Sequence, residues 1–181
     1  AKLRHTIKRS RAKLLEQGGR MEFITEMADV ARGVAAYTQV YGKSWKRPEP
    51  VADFILEAAR AYARRGWLRL GLAWLNDQPI AAQLWWTTPY KACIYKLAYD
   101  EAHKALSPGT LLGAAMFERA FTMDRVSEID YLVGDDPYKS KWMSHRRERW
   151  RLCAYDPFTL RGSTGLVRRQ LRGLRDRFEA R

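Results

Sequence analysis

WLRLGLAWLNDQPIAAQLWWTTPYKACIYKLAY, residues 67–99, falls into three runs broken by NDQ and by Pro89, and the first of them alternates. In the first run Leu68, Leu70, Leu72 and Trp74 share one side, and Trp67, Arg69, Gly71, Ala73 and Leu75 share the other. A period of two places successive side chains on opposite faces of a strand, and short polar breaks return the chain on itself. The runs 67–75, 79–88 and 91–99 therefore predict an antiparallel meander.

On either side of the meander the period becomes helical. Upstream, Leu3, Ile7, Leu14 and Leu15 mark a helix over 3–16, closed by Gly18 and Gly19, and MEFIT (21–25) reads as a short strand. Val30, Val34, Tyr37 and Tyr41 form the stripe of a helix over 28–41, and Val51, Phe54, Ile55, Ala58 and Tyr62 that of another over 51–65. Downstream, Pro108 opens a helix that runs to about Met123, at the position where a missing N–H costs nothing. EIDYLV (128–133) reads as a buried strand of the parallel type. Residues 134–143 read as a turn and short helix, and ERWRLCAY (148–155) as a last strand. A helix over 165–179 carries Val167, Leu171, Leu174 and Phe178 on one face. A meander followed by alternating helix and strand predicts an α/β fold, a mixed sheet with helices on both faces.

The 181 residues are 46% apolar and 29% charged, which suits one core and excludes a disordered chain. The net charge of +13 is uneven. Residues 1–20 hold seven Lys or Arg against one acid, and 161–181 hold seven Arg against two acids, which leaves +2 for the body. Basic terminal helices are expected, not a basic groove. The organisation expected is a basic helix at 1–19, a folded domain at 20–157 and a basic amphipathic helix at 158–181. No apolar run approaches the ~18–20 residues of a membrane span, and the charged opening AKLRHTIKRS is unlike a leader, so a cytoplasmic protein is expected. The sequence opens within a helix and without Met, so a missing upstream domain is expected. Cys93 and Cys153 stand singly, and His5, His103 and His145 complete no ligand spacing, so neither a disulfide framework nor a metal is expected.

Three stretches can carry chemistry. AYDEAHKALSPGTLL (98–112) brings Ser107, Pro108, Gly109 and Thr110 to a helix start, where the dipole favours an anion; a capped helix without a ligand is the alternative. In IDYLVGDDPYKSKWM (129–143), Asp130 sits among apolar neighbours, where desolvation makes a carboxylate basic. Tyr138 can protonate a leaving thiolate, and Lys139 can stabilise an oxyanion or bind a carboxylate. An ion pair of Asp130 with Lys139 or an arginine, fixing the turn, is the alternative. In YGKSWKRPEP (41–50), Trp45 among cations suits an acidic or phosphorylated substrate, or else plugs the sheet edge.

SWK (44–46), PIAAQLW (79–85), KLAYDEAHKALSPGTLL (96–112) and IDYLVGDDPYKSKW (129–142) together resemble the GNAT-type acyltransferases of the CelD/BcsL group, relatives of the FemABX transferases. The resemblance spans residues 21 to about 155. It implies a GNAT-like sheet whose third meander strand splays from the parallel strand, leaving a slot for a thioester. It also implies an N-acyltransferase that uses acetyl-CoA or another acyl-CoA as co-substrate. On that pattern Leu97, Ala98 and Tyr99 bind the pantetheine arm, Ser107, Pro108, Gly109, Thr110 and Leu111 hold the pyrophosphate, and Ser44, Trp45 and Lys46 meet the substrate.

The expected reaction is attack by a neutral amine on the thioester, with Asp130, or Asp100 at the end of the adjacent strand, taking the proton through a water. Tyr138 then protonates the sulfur and Lys139 steadies it. The acceptor is a small or polymeric amine. The family's QxxGxG/A loop stands here as SPGT, with a single glycine. This keeps two other readings open: a FemABX-like enzyme that takes its acyl group from aminoacyl-tRNA, and a non-catalytic docking domain. A homo-oligomer belongs with the last of these.

Overall fold

The computed structural model describes the backbone of residues 2–51 and 53–179, and the side chains of 3–51 and 53–171. The helices are α1 (Lys2–Glu16), α2 (Val30–Gly42), α3 (Phe54–Arg64), α4 (Pro108–Thr122) and α5 (Leu160–Glu179). The strands are β1 (Gly19–Ile24), β2 (Leu68–Leu75), β3 (Gln78–Thr87), β4 (Lys91–Tyr99) and β5 (Glu128–Asp130). The sheet runs β1-β2-β3-β4-β5, antiparallel from β1 to β4, with β5 added parallel to β4.

The alternation of β2 sorts the core into two layers. Leu68, Leu70 and Leu72 face α2 and α3, where they meet Val30, Val34 and Tyr37. Ala73 faces the other way, with Leu14 of α1 and Leu111, Leu112 and Met116 of α4. Gly71 belongs to that second face, and α4 comes so close that a Cβ there would stand 2.6 Å from Met116 Sδ. A bidentate pair of Arg69 with Asp124 ties the end of α4 to β2, Nε lying 2.9 and 3.0 Å from the two carboxylate oxygens.

Two expected strands differ. β5 stops at Asp130 instead of running to Val133, and it is half-buried rather than buried. The cause is local: Asp130 Oδ1 accepts the Leu132 N–H at 2.7 Å, and Leu132 takes a left-handed φ of 57° that a strand cannot contain. Residues 148–155 form no strand at all. Their apolar alternation has no neighbouring strand to pair with among the described residues, and a strand is held by its ladder.

The chain divides into two compact units, Ala1–Trp142 and Met143–Arg181. The basic helix α1 belongs to the first unit because Leu14 is buried in its core. In the second unit, α5 begins five residues earlier than expected, and the side chains of Leu174 and Phe178 lie outside the described residues. No helix among the described residues is long and apolar enough to cross a membrane.

Leu84 of β3 is fully buried between the sheet and α2. Leu84→Ala is expected to destabilise the protein by about 2–5 kcal/mol, measured as a fall in the urea midpoint at unchanged slope.

Candidate functional site

β4 and β5 pair over only three positions, Lys91–Glu128, Ala92–Ile129 and Cys93–Asp130. Beyond Cys93 the outer edge of β4 carries no ladder, because the chain after Asp130 turns away. The opening is a cleft of about 320 Å³, with Ile94, Tyr95, Lys96 and Leu97 on one wall and Tyr131, Leu132, Val133, Asp136, Tyr138 and Lys139 on the other. Lys46 closes it from the α2–α3 loop.

At the mouth of the splay β4 is also irregular. Leu84 pairs with Lys96 and Trp85 with Ile94, so Tyr95 is an extra residue without an opposite partner on β3. A bulge re-aims the backbone groups next to it, here at the wall of the cleft. Pattern reading missed this feature, since nothing in KACIYKLAY marks an extra residue. Lys96 and Glu49, which pair at 2.8 Å beside the bulge, were missed as well.

Asp130 does not stand free in the cleft. Its Oδ2 accepts from Lys91 Nζ at 2.6 Å and its Oδ1 caps the turn at Leu132. The hydrogen bond it donates to Asp130 is the main reason the Lys91 ammonium holds its proton above the usual lysine range. Asp130 thus pairs with Lys91, and not with the Lys139 considered as an alternative, which pairs with Asp136. Asp100 is 5% exposed; it accepts the Ala102 N–H at 3.0 Å and lies 3.5 Å from His103 Nδ1 and 3.7 Å from Lys43 Nζ. Both carboxylates serve turns.

Lys139 is committed too. Its Nζ donates to the Val133 carbonyl at 2.9 Å and the Gly134 carbonyl at 3.2 Å, and it pairs with Asp136 at 3.2 Å. An ammonium has three protons, and these contacts use them to fold residues 131–139 into the cleft wall. Tyr138 stands on that wall against the edge of Tyr131, with ring centroids 5.8 Å apart. Burial, and then the Asp136 charge, push its phenol up to about 12. Lys46 has the opposite displacement: burial, with Lys96 next, pulls its ammonium below the usual lysine range.

The residues expected near the far end of β4 do meet. The Trp45 ring lies 4.7 Å from Tyr99, and a Cβ on Gly109 would stand 3.0 Å from the same Tyr99 ring. Trp45 is half-exposed, so it does not plug the sheet edge. Ser44 shapes the loop, donating to the Tyr41 carbonyl and accepting the Lys46 N–H. Leu97 lines the cleft, while Ala98 points into the core beneath α2.

The start of α4 is poorer in donors than its sequence implied. Ser107 is left-handed, φ 52° and ψ 44°, because its N–H closes the preceding 3₁₀ turn on Lys104, and its side chain caps nothing. Thr110 and Leu111 both donate to the Ser107 carbonyl, and Pro108 has no N–H. The Gly109 N–H remains as the first-turn donor without an internal acceptor among the described residues. Among those residues no His, Cys, Asp and Glu gather in a metal-holding group, and both cysteines are free thiols.

Residues 1–140 match the family described as acetyltransferase (GNAT) domain. No curated protein matches the sequence. Among solved structures the chain resembles a possible acetyltransferase from Clostridium difficile 630, with TM-score 0.54, 10% identity, and 75% of this chain and 99% of that one covered. It also resembles an aminoglycoside acetyltransferase from an uncultured soil metagenomic sample, with TM-score 0.52, 14% identity and coverage of 75% and 95%. An acetyltransferase from Trypanosoma brucei gives TM-score 0.52, 11% identity and coverage of 75% and 99%. At these identities the likeness is one of fold.

The contacts of Lys139 make a test of the wall itself. Lys139→Met is expected to cost about 1–3 kcal/mol in urea unfolding, because it strips two loop carbonyls and Asp136 of their donor.

Proposed function

The chain belongs to the acetyltransferase (GNAT) domain family, and we propose on that premise that it transfers an acetyl group from acetyl-CoA to the amine of an acceptor. The observation that carries this reading is the early parting of β4 from β5, with the Tyr95 bulge at the mouth. An extended thioester arm needs a partner with unpaired backbone groups in a row, and the free edge of β4 offers them. The bulge turns backbone donors toward the place where a thioester carbonyl would lie, and donors aimed at developing charge stabilise an oxyanion.

Orientation supplies the larger part of such a reaction. Holding an amine against a thioester in line can contribute roughly 7–11 kcal/mol, so no strong chemical catalyst is required. The Tyr138 phenol is the proton source for the departing sulfur. It lines the cleft on the wall opposite β4, and its raised pKa keeps it protonated through the neutral range. Lys139 acts by holding the wall that presents Tyr138. Trp45, Tyr99 and the Gly109 N–H form the outer end of the site, where the nucleotide half of the donor would rest, with Lys46 facing along the cleft.

One observation favours a second donor. With a single free N–H in its first turn, α4 offers a pyrophosphate little, and an aminoacyl-tRNA has no pyrophosphate at its reacting end. Melting the protein with acetyl-CoA and, separately, with aminoacyl-tRNA distinguishes them, since a ligand that binds only the native state raises Tm.

Tyr138→Phe is expected to lower kcat at least tenfold, read as thiol release from acetyl-CoA, with the fold unchanged by circular dichroism. The wild-type rate should not fall from loss of this proton as pH rises through 10, because that loss begins only as pH nears about 12. An unchanged kcat in the phenylalanine variant would remove Tyr138 from the reaction.

A further inference from the structure

A second cavity, of about 380 Å³, opens where α1, β1 and the C-terminal half of α4 come together. β1 is the edge of the sheet opposite β5, so this cavity lies far from the cleft. Its lining is mostly apolar: Leu14 and Leu15 of α1, Met21 and Phe23 of β1, Ala115 of α4 and Met123 just after it. The alternation of a strand puts Met21 and Phe23 on this face and turns the Arg20 side chain to the other, where its guanidinium lies 4.7 Å over Trp74. Leu15 and Met123 are exposed, so the cavity opens through an apolar rim.

One guanidinium in this lining has an unmatched donor. Arg119 of α4 lies 5.3 Å over the Phe23 ring, and its Nε is buried with no hydrogen-bond partner among the described residues. Buried polar atoms are nearly always paired, so such a donor marks a place for an acceptor from outside. Capping its own helix does not account for Arg119. The carbonyls of Glu118, Arg119 and Ala120 already accept Thr122 Oγ1, the Met123 and Asp124 N–H groups and the Val126 N–H. Arg11 lines the cavity from α1, and Arg4, Lys8 and Arg11 recur at helical spacing on the stripe that ends at Leu15. Glu118, exposed, is the one acid among the described lining residues. Cations of one sign along the approach raise the local concentration of an anion.

We propose that this cavity is a second ligand site, which binds a small organic carboxylate with its head on the Arg119 guanidinium and its apolar tail among Leu15, Phe23 and Met123. The planar fork of a guanidinium matches the two oxygens of a carboxylate. A polyanion suits the site less, because most of the lining has no donor to offer its oxygens. Met21 and Met123 carry unbranched, flexible thioethers, which fit tails of differing shape. The volume lies in the range of small-molecule sites. No residue of this cavity lines the cleft between β4 and β5, so the inference stands apart from the transferase reading.

The test is isothermal titration calorimetry of the chain with octanoate, and with hexanoate, n-octanol and octylamine for comparison. Octanoate should bind the wild type one to one, about tenfold or more tightly than n-octanol or octylamine. Each CH₂ from hexanoate to octanoate should tighten binding about threefold. Arg119→Gln should weaken octanoate about tenfold or more. Ala115→Leu, which fills the cavity without touching a charge, should weaken it as well. Lys46→Gln, in the acetyl-transfer cleft, should bind octanoate as the wild type does. The proposal is overturned if octanoate gives no saturable heat at millimolar concentration, or if n-octanol binds as tightly. Variants folded by circular dichroism overturn it if octanoate binding is lost in Lys46→Gln and kept in Arg119→Gln. So does a dimer in sedimentation that Arg119→Gln dissociates and octanoate does not, since the cavity is then a contact between copies of the chain.

Discussion

The two hydrogen bonds of Asp130, one from Lys91 and one from the Leu132 N–H, are the constraint on which the site depends. The first holds β5 against β4 at its last paired position. The second bends the chain into a left-handed residue immediately after, so that pairing cannot continue. A sheet that would otherwise zip closed is opened at a fixed place by one carboxylate. The opening is kept from collapsing by Lys139, whose ammonium gathers the carbonyls of the departing loop.

This gives the charged residues a division of labour that their types alone do not reveal. Asp130, Asp100 and Lys139, the groups with the plainest catalytic chemistry in the sequence, are spent on shaping backbone. The groups left with unused capacity are Tyr138 and Lys46. Lys46 lies in the cleft with its ammonium disfavoured by burial and by Lys96. A site that works mainly by orientation suits such an arrangement, since most of its polar groups must hold geometry and few need to move protons.

The long periodic elements were legible in residue order. The meander expected over 67–75, 79–88 and 91–99 is Leu68–Leu75, Gln78–Thr87 and Lys91–Tyr99, because short breaks at NDQ and Pro89 bound three runs of strand length on a sheet covered on both faces. The stripe of Val30, Val34, Tyr37 and Tyr41 is buried as its spacing required. EIDYLV misled because its run of apolar side chains continues past the point where an aspartate bonds its own backbone. ERWRLCAY misled because alternation shows what a strand would look like, not whether an edge is available to it.

The sequence by itself determined the mixed sheet, its helical layers and the neighbourhood of the cleft, since these follow from local period, turn residues and helix caps. Only the tertiary structure decided which carboxylate bonds which partner, where β4 bulges and which polar atoms remain unmatched. Asp130 and Lys91 stand 39 residues apart, and their meeting is set by strand register. A side chain's chemistry is fixed by its type, but its role is fixed by what has already claimed its lone pairs and protons, and that is a property of neighbours in space.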